Sequence, residues 1–113
     1  MASFEARAAV EPGRTTVTLA GDCDLSARDR LTEVLLEAVE GAAEVFVDVA
    51  HVGFLDSSGV HALVIAHHAA QARHGRLYLT GASGGVAAVL ELTGLDTLLQ
   101  APADLQAHER RHA

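Results

Sequence analysis

The run AEVFVDVA at 43–50 constrains the fold more than any other stretch. It is short, β-branched and mostly apolar, which suits a strand in the middle of a sheet. On either side of it the apolar period changes. Upstream, Leu31, Val34, Leu35, Ala38 and Val39 repeat at helical spacing and make one apolar stripe, with Gly41 as a natural stop. Downstream, HALVIAHHAAQARHG is helix-like and ends at Gly75. Strands that alternate with helices in this way belong to an α/β layer structure whose sheet is at least partly parallel.

The remaining runs extend the pattern. SFEARAAV and RTTVTLAG alternate as strands do, and Pro12-Gly13 turns the chain between them, so the two form a hairpin. RLYLTG is a further strand. SGGVAAVLELTG is a short helix closed by Gly94, with Val86, Val89 and Leu90 inward. LDTLLQ reads as a last short strand, and PADLQAHERRHA as a polar, frayed helix that tolerates its early proline. The order is ββαβαβα with a final βα, in one domain spanning 1–113. Leu63 and Val64 should face the sheet together with the stripe that ends at Val39.

Composition excludes several classes. Fifteen acids stand against eight bases, a formal net charge of −7, and every base is arginine. With no basic stripe, nucleic-acid binding is not expected. An acidic surface favours a basic protein partner. No stretch approaches the roughly 18 apolar residues of a membrane span, and MASFEARAAVEPG is too polar for a secretory signal. The expectation is a cytoplasmic monomer without cofactor or metal. Cys23 is the sole cysteine, read as a small, half-buried residue.

Four stretches carry residues able to do chemistry. GASGG at 81–85 has the G-x-S-x-G form of a nucleophile elbow, with Asp96 or Asp104 and His108 or His112 following in hydrolase order. The plainer account is that Ser83 caps a helix, and the chain lacks room for the large sheet that holds such a triad. HERRH at 108–112 has the H-E-x-x-H form of a zinc helix, but it sits in a charged terminal stretch with no third ligand. His61, His67, His68 and His74 share one helix without the spacing a local metal site prefers, so they read as surface or boundary residues. The fourth stretch is FLDSSGV at 54–60. Asp56 or Ser57 can cap the following helix. Two such residues and Gly59 are more than one helix start needs. A hydroxyl at a helix N-terminus is presented to solvent where the N–H groups and dipole tolerate an added phosphate. The corner therefore reads as a capped turn or as a modification switch.

Three stretches together make the chain recognisable. GDCDL at 21–25, VFVDVAHVGFLDSSGVHALV at 45–64 and LTGASGGVAAVLELTGLDTLL at 79–99 resemble, in order and separation, the STAS-domain anti-sigma factor antagonists of bacteria. The resemblance implies a mixed four- to five-stranded sheet with helices packed mainly on one side. It implies that Ser57, the first serine of DSSG, is phosphorylated, so the protein is a substrate and not an enzyme. The unmodified form would bind an anti-sigma factor that is itself an ATP-dependent serine kinase and so free the sigma factor. Phosphorylation would release it, and a PP2C-type serine phosphatase would reset it. Asp22, Asp24, Asp56, Ser58, Gly59 and His61 are the expected partner-binding residues, because the GDCDL turn and the DSSG corner leave neighbouring parallel strands at the same end. Two residues depart from the family pattern. Cys23 stands where an aliphatic residue is usual, and His61 where a small residue is common. An alternative is a STAS subunit that stays unmodified in a lipid-transport or stress-signalling complex; the third reading is the small hydrolase centred on Ser83.

Overall fold

A computed structural model describes residues 3–103. Strand β3, Glu44–Leu55, occupies the interior of a four-stranded sheet ordered β1-β2-β3-β4, with β1 Glu5–Glu11, β2 Arg14–Cys23 and β4 Arg76–Thr80. The first pair is an antiparallel hairpin turned at Pro12-Gly13. The β2–β3 and β3–β4 pairs are parallel. Val45, Val47 and Val49 are buried on the helix-covered face. Phe46, on the opposite face, is buried too, 5.2 Å from the Tyr78 ring and beneath the Arg14 guanidinium at 4.2 Å. A strand enclosed on both faces has to be apolar at consecutive positions, which is why 45–47 reads VFV.

Helix α1 spans Arg28–Gly41, α2 Ser57–Ala72 and α3 Gly84–Thr93. All five stripe residues from Leu31 to Val39 are buried, and they share one core with Leu63, Val86, Leu90 and the inward face of the sheet. Val64 and Val89 are only half-buried at the rim of that core. The helices are thus gathered on one side of the sheet, as the resemblance implies.

The last expected strand is not one. LDTL forms a short helix, α4 Leu95–Leu98, and only Gln100 bridges to Leu79. Gly94, at φ 77°, closes α3 with a left-handed cap. The Asp96 carboxylate then accepts the Thr97 N–H at 2.8 Å. Leu95 and Leu99, four residues apart, are both buried while Leu98 is exposed, a helical rather than an alternating burial. The expected tail helix, with HERRH, Asp104, His108 and His112, lies outside the described residues.

β3 runs further than AEVFVDVA. It continues to Leu55 by way of two bulges against β2. From Thr18 to Ala20 its partners go from Asp48 to His51, and from Gly21 to Asp22 they go from Val52 to Phe54. Each bulge adds one residue and a local bend. The Asp48 carboxylate accepts the Ala50 N–H at 2.9 Å within the first. β4 pairs with β3 only as far as Thr80 opposite Asp48, so the ends of β2 and β3 project together beyond it.

Candidate functional site: the acidic corner at the end of the parallel strands

Cys23 and Leu55 are paired at the ends of β2 and β3. Each strand leads straight into a helical turn headed by an aspartate. Asp24 precedes the 3₁₀ turn Leu25–Ala27 in an extended conformation, and its carboxylate accepts from the Ser26 N–H at 3.0 Å, the Ala27 N–H at 3.3 Å and the Ser26 hydroxyl at 2.6 Å. The Ser26 hydroxyl, first, and these N–H groups hold the Asp24 carboxyl below its ordinary value. Asp56 precedes α2 in the same way and accepts from the Ser58 N–H at 2.8 Å and the Gly59 N–H at 3.4 Å. The Asp56 N–H in turn donates to the Cys23 carbonyl at 3.4 Å, tying the two turns together.

This settles the division of labour in DSSG. Asp56 is the cap. Ser57 is the first helical residue, and it is exposed. Ser58 is half-buried and contributes its N–H to the cap. Gly59 is buried, and a Cβ there would meet the Leu55 side chain, the Cys23 carbonyl at 2.8 Å and the Cys23 Cβ at 3.1 Å. Glycine is what lets the first turn of α2 lie directly on the end of β2.

Cys23 is fully buried rather than half-buried. Burial, and then the charges of Asp22, Asp24 and Asp56, push its thiol up to about 11. The thiol is therefore an inert packing residue. All three carboxylates lie close enough to act on one sulfur, so the end of the sheet is an acidic corner. Asp22 is in register with Phe54, a half-exposed ring on the rim of that corner.

An apolar groove of about 280 Å³ opens beside Ser57, between Val60 of α2 and Val89, Leu92 and Thr93 of α3. Leu92 is 88% exposed. The sequence reading missed this feature. Its only signal was a leucine standing off the Val86–Val89–Leu90 stripe.

His61 is exposed on α2, one turn beyond Ser57, and lines a second groove with Arg28, Asp29 and Glu33 of α1. His67 is not a surface residue. It is buried, and burial, followed by the charges of His68 and Arg76, lowers its affinity for a proton. Ser83 stands at the N-cap position of α3 but makes no side-chain cap bond. Asp96, a supposed triad member, is engaged with the Thr97 N–H. Among the described residues no three His, Cys, Asp or Glu side chains converge as a metal site would need, and no helix is long and apolar enough to cross a membrane.

The model of one protein family, described as MlaB, STAS domain, matches residues 6–100. The chain belongs to the STAS domain family. No sequence among curated proteins matches it, but solved structures do. The anti-sigma factor antagonist SpoIIAA in its unphosphorylated form superposes with a TM-score of 0.75 at 21% identity, over 98% of both chains. The Bacillus SpoIIAA in its phosphorylated form does so with a TM-score of 0.70 at 20% identity, over 96% of this chain and 98% of the other. An anti-sigma factor antagonist from Mycobacterium paratuberculosis gives 0.79 at 20% identity, over 96% and 95%. A sulfate transporter family protein from Wolinella succinogenes gives 0.68 at 25% identity, over 80% and 75%. In this chain the STAS fold carries the acidic corner, with Ser57 exposed at the start of α2 beside it.

Proposed function

We propose that this STAS domain is an anti-sigma factor antagonist of bacteria, acting in the cytoplasm as a phospho-switched binding module. In the unmodified state it binds a serine-kinase anti-sigma factor and frees the sigma factor. The kinase then transfers phosphate from ATP to Ser57. The Ser57 Oγ attacks the γ-phosphorus, the bond to ADP breaks, and the hydroxyl proton passes to a base on the kinase. A PP2C-type phosphatase restores the hydroxyl. Asp22, Asp24, Asp56, Ser58 and His61 form the surrounding binding surface, with Phe54 and the Leu92 groove as its apolar part, whereas Gly59, expected on that surface from the sequence, is buried beneath it against Cys23 and Leu55.

The observation that carries this reading is the placement of Ser57. Its hydroxyl is exposed on the first residue of a helix whose cap is already made by Asp56. It is therefore available for modification without loss of a structural bond. The helix N-terminus offsets part of an added negative charge, so the fold should survive. A partner matched to the corner's carboxylates would have to desolvate a further dianion beside them.

A second reading is favoured by two findings. The matching family model does not name an antagonist, and one structural neighbour is a sulfate transporter family protein. In that reading the chain is a STAS subunit of a lipid-transport or stress-signalling complex, and Ser57 stays unmodified. Intact mass and peptide mapping of protein recovered from its own cells separate the two. One phosphate on Ser57 is expected. Phosphate on Ser58 or Ser83 with Ser57 bare, or no phosphate under any growth condition, would sink the switch.

A further inference from the structure

His61 lies one turn of α2 beyond Ser57, and that position has a chemical consequence. Both residues are exposed on α2, four apart. Residues at that spacing are neighbours on a helix surface, with Cβ atoms about 5–6 Å apart, and an anion placed N-terminal to a cation is the favourable order. The other charges around His61 come from two elements besides its own. On α1, Asp29 pairs with Arg28 at 3.3 Å and Glu33 with Arg30 at 2.8 Å, so the facing carboxylates already have partners. At the end of the sheet lie Asp22, within β2, and Asp24, just after it, while Asp56 caps α2 and the exposed His68 lies further along that helix. A phosphate on Ser57 would join Asp22, Asp24 and Asp56. On the same helix His61 is the basic side chain one turn from Ser57, and it shares its groove with Arg28, which is already paired with Asp29.

We infer that His61 is the internal partner of the phosphorylated Ser57: its protonated imidazole donates to the phosphate one turn away and steadies the phosphorylated state as the pH falls. This rests on the reading of Ser57 as the phosphate acceptor. A protonated imidazole attracts a phosphate more strongly than a neutral one does, because the hydrogen bond is then charge-assisted. The contact therefore stabilises the phosphorylated fold more where the ring is protonated than where it is neutral. It also makes His61 a positioning residue for the phosphate, distinct from any role in partner contact.

The test uses the full chain with phosphoserine incorporated at position 57 during synthesis, so no kinase is needed. Phosphorus NMR is followed from pH 5 to 8.5 in the wild-type background, in His61→Gln and in His68→Gln. The expected result is a phosphorus titration with a second inflection from the imidazole in the wild type and in His68→Gln. That inflection should be lost in His61→Gln. Melting temperatures give an independent readout. At pH 6 phosphorylation should lower the melting temperature less in the wild type than in His61→Gln, and the two should converge at pH 8.5. His61→Lys should keep the advantage at both pH values. Superimposable phosphorus titrations of wild type and His61→Gln would overturn the inference while leaving Ser57 as a kinase target untouched. An unmodified Ser57 in cells would remove the switch but leave this coupling measurable.

Discussion

Two corners of this domain are built from the same kinds of residue and do different things. At Asp56–Gly59 a strand passes into α2 through DSSG, and at Gly81–Gly85 a strand passes into α3 through GASGG. Both have an exposed serine at the start of a helix. In the first, an aspartate supplies the cap and the serine beside it is left over. In the second, Ser83 itself holds the cap position and makes no cap bond. The first glycine, Gly59, is wedged against Cys23 and Leu55, whereas Gly85 faces open space. The first corner stands among three carboxylates at the joined ends of β2 and β3. A hydroxyl is useful for signalling where the fold does not need it and where added charge changes what can dock. On the proposed reading the DSSG corner meets both conditions.

The largest effect should come from charge placed at the two serines. Phosphate on Ser57 is expected to weaken binding of the kinase partner by about 2–4 kcal/mol, roughly 30- to 1000-fold. Phosphate on Ser83 should change it by less than about threefold. Titration of the two semisynthetic phosphoproteins against the partner checks this, and equal losses would mean that the interface spans both corners.

The glycines offer a purely structural version of the same comparison. Gly59→Ala forces a methyl group against the Cys23 carbonyl and the Leu55 side chain. Such overpacking is expected to cost about 1–3 kcal/mol. Gly85→Ala meets nothing within 4 Å and adds helix propensity, so it should be neutral or stabilising by up to about 1 kcal/mol. Urea melts of both variants give the answer. A neutral Gly59→Ala would show that α2 can lift off β2 freely, and the corner would then lack the rigidity argued for it.

Much of this was legible in the sequence, for a physical reason. Val45, Val47, Val49 and the stripe from Leu31 to Val39 announce themselves because a buried face repeats with the period of its own element. The cap at DSSG is legible to within one residue, Asp56 or Ser57, because capping is local chemistry, decided within three residues. The features that escaped are those fixed by distant neighbours. The run LDTLL is compatible with either period over so few residues, and its helix follows from the burial of Leu95 and Leu99 under the rest of the fold. The bulges near Ala50 and Gly53 break the alternation by which the end of β3 would have been read. His67 is polar by type yet buried, and Leu92 apolar yet exposed, because what packs on α2 and α3 is set by elements far away in the chain.

The caps themselves provide the smallest and sharpest test. Asp56 accepts two N–H groups at the start of a sixteen-residue helix. Removing such a cap leaves those donors to water and usually costs about 1 kcal/mol, within roughly 0.5–2. Asp56→Ala should therefore lower stability by about that amount, and Asp56→Asn, which keeps an acceptor oxygen, by only a few tenths. Ser83→Ala removes a hydroxyl with no cap bond, so it should stay within about 0.5 kcal/mol of wild type. Ser57→Ala should be equally mild, because its hydroxyl lies outside the cap. That last comparison decides how the corner works. If Ser57→Ala destabilised the fold as much as Asp56→Ala, the serine would be a structural cap in solution, and phosphorylation would act by loosening α2. If only Asp56→Ala is costly, the cap and the switch are separate residues side by side, and phosphate acts on the partner's surface while the helix stays in place.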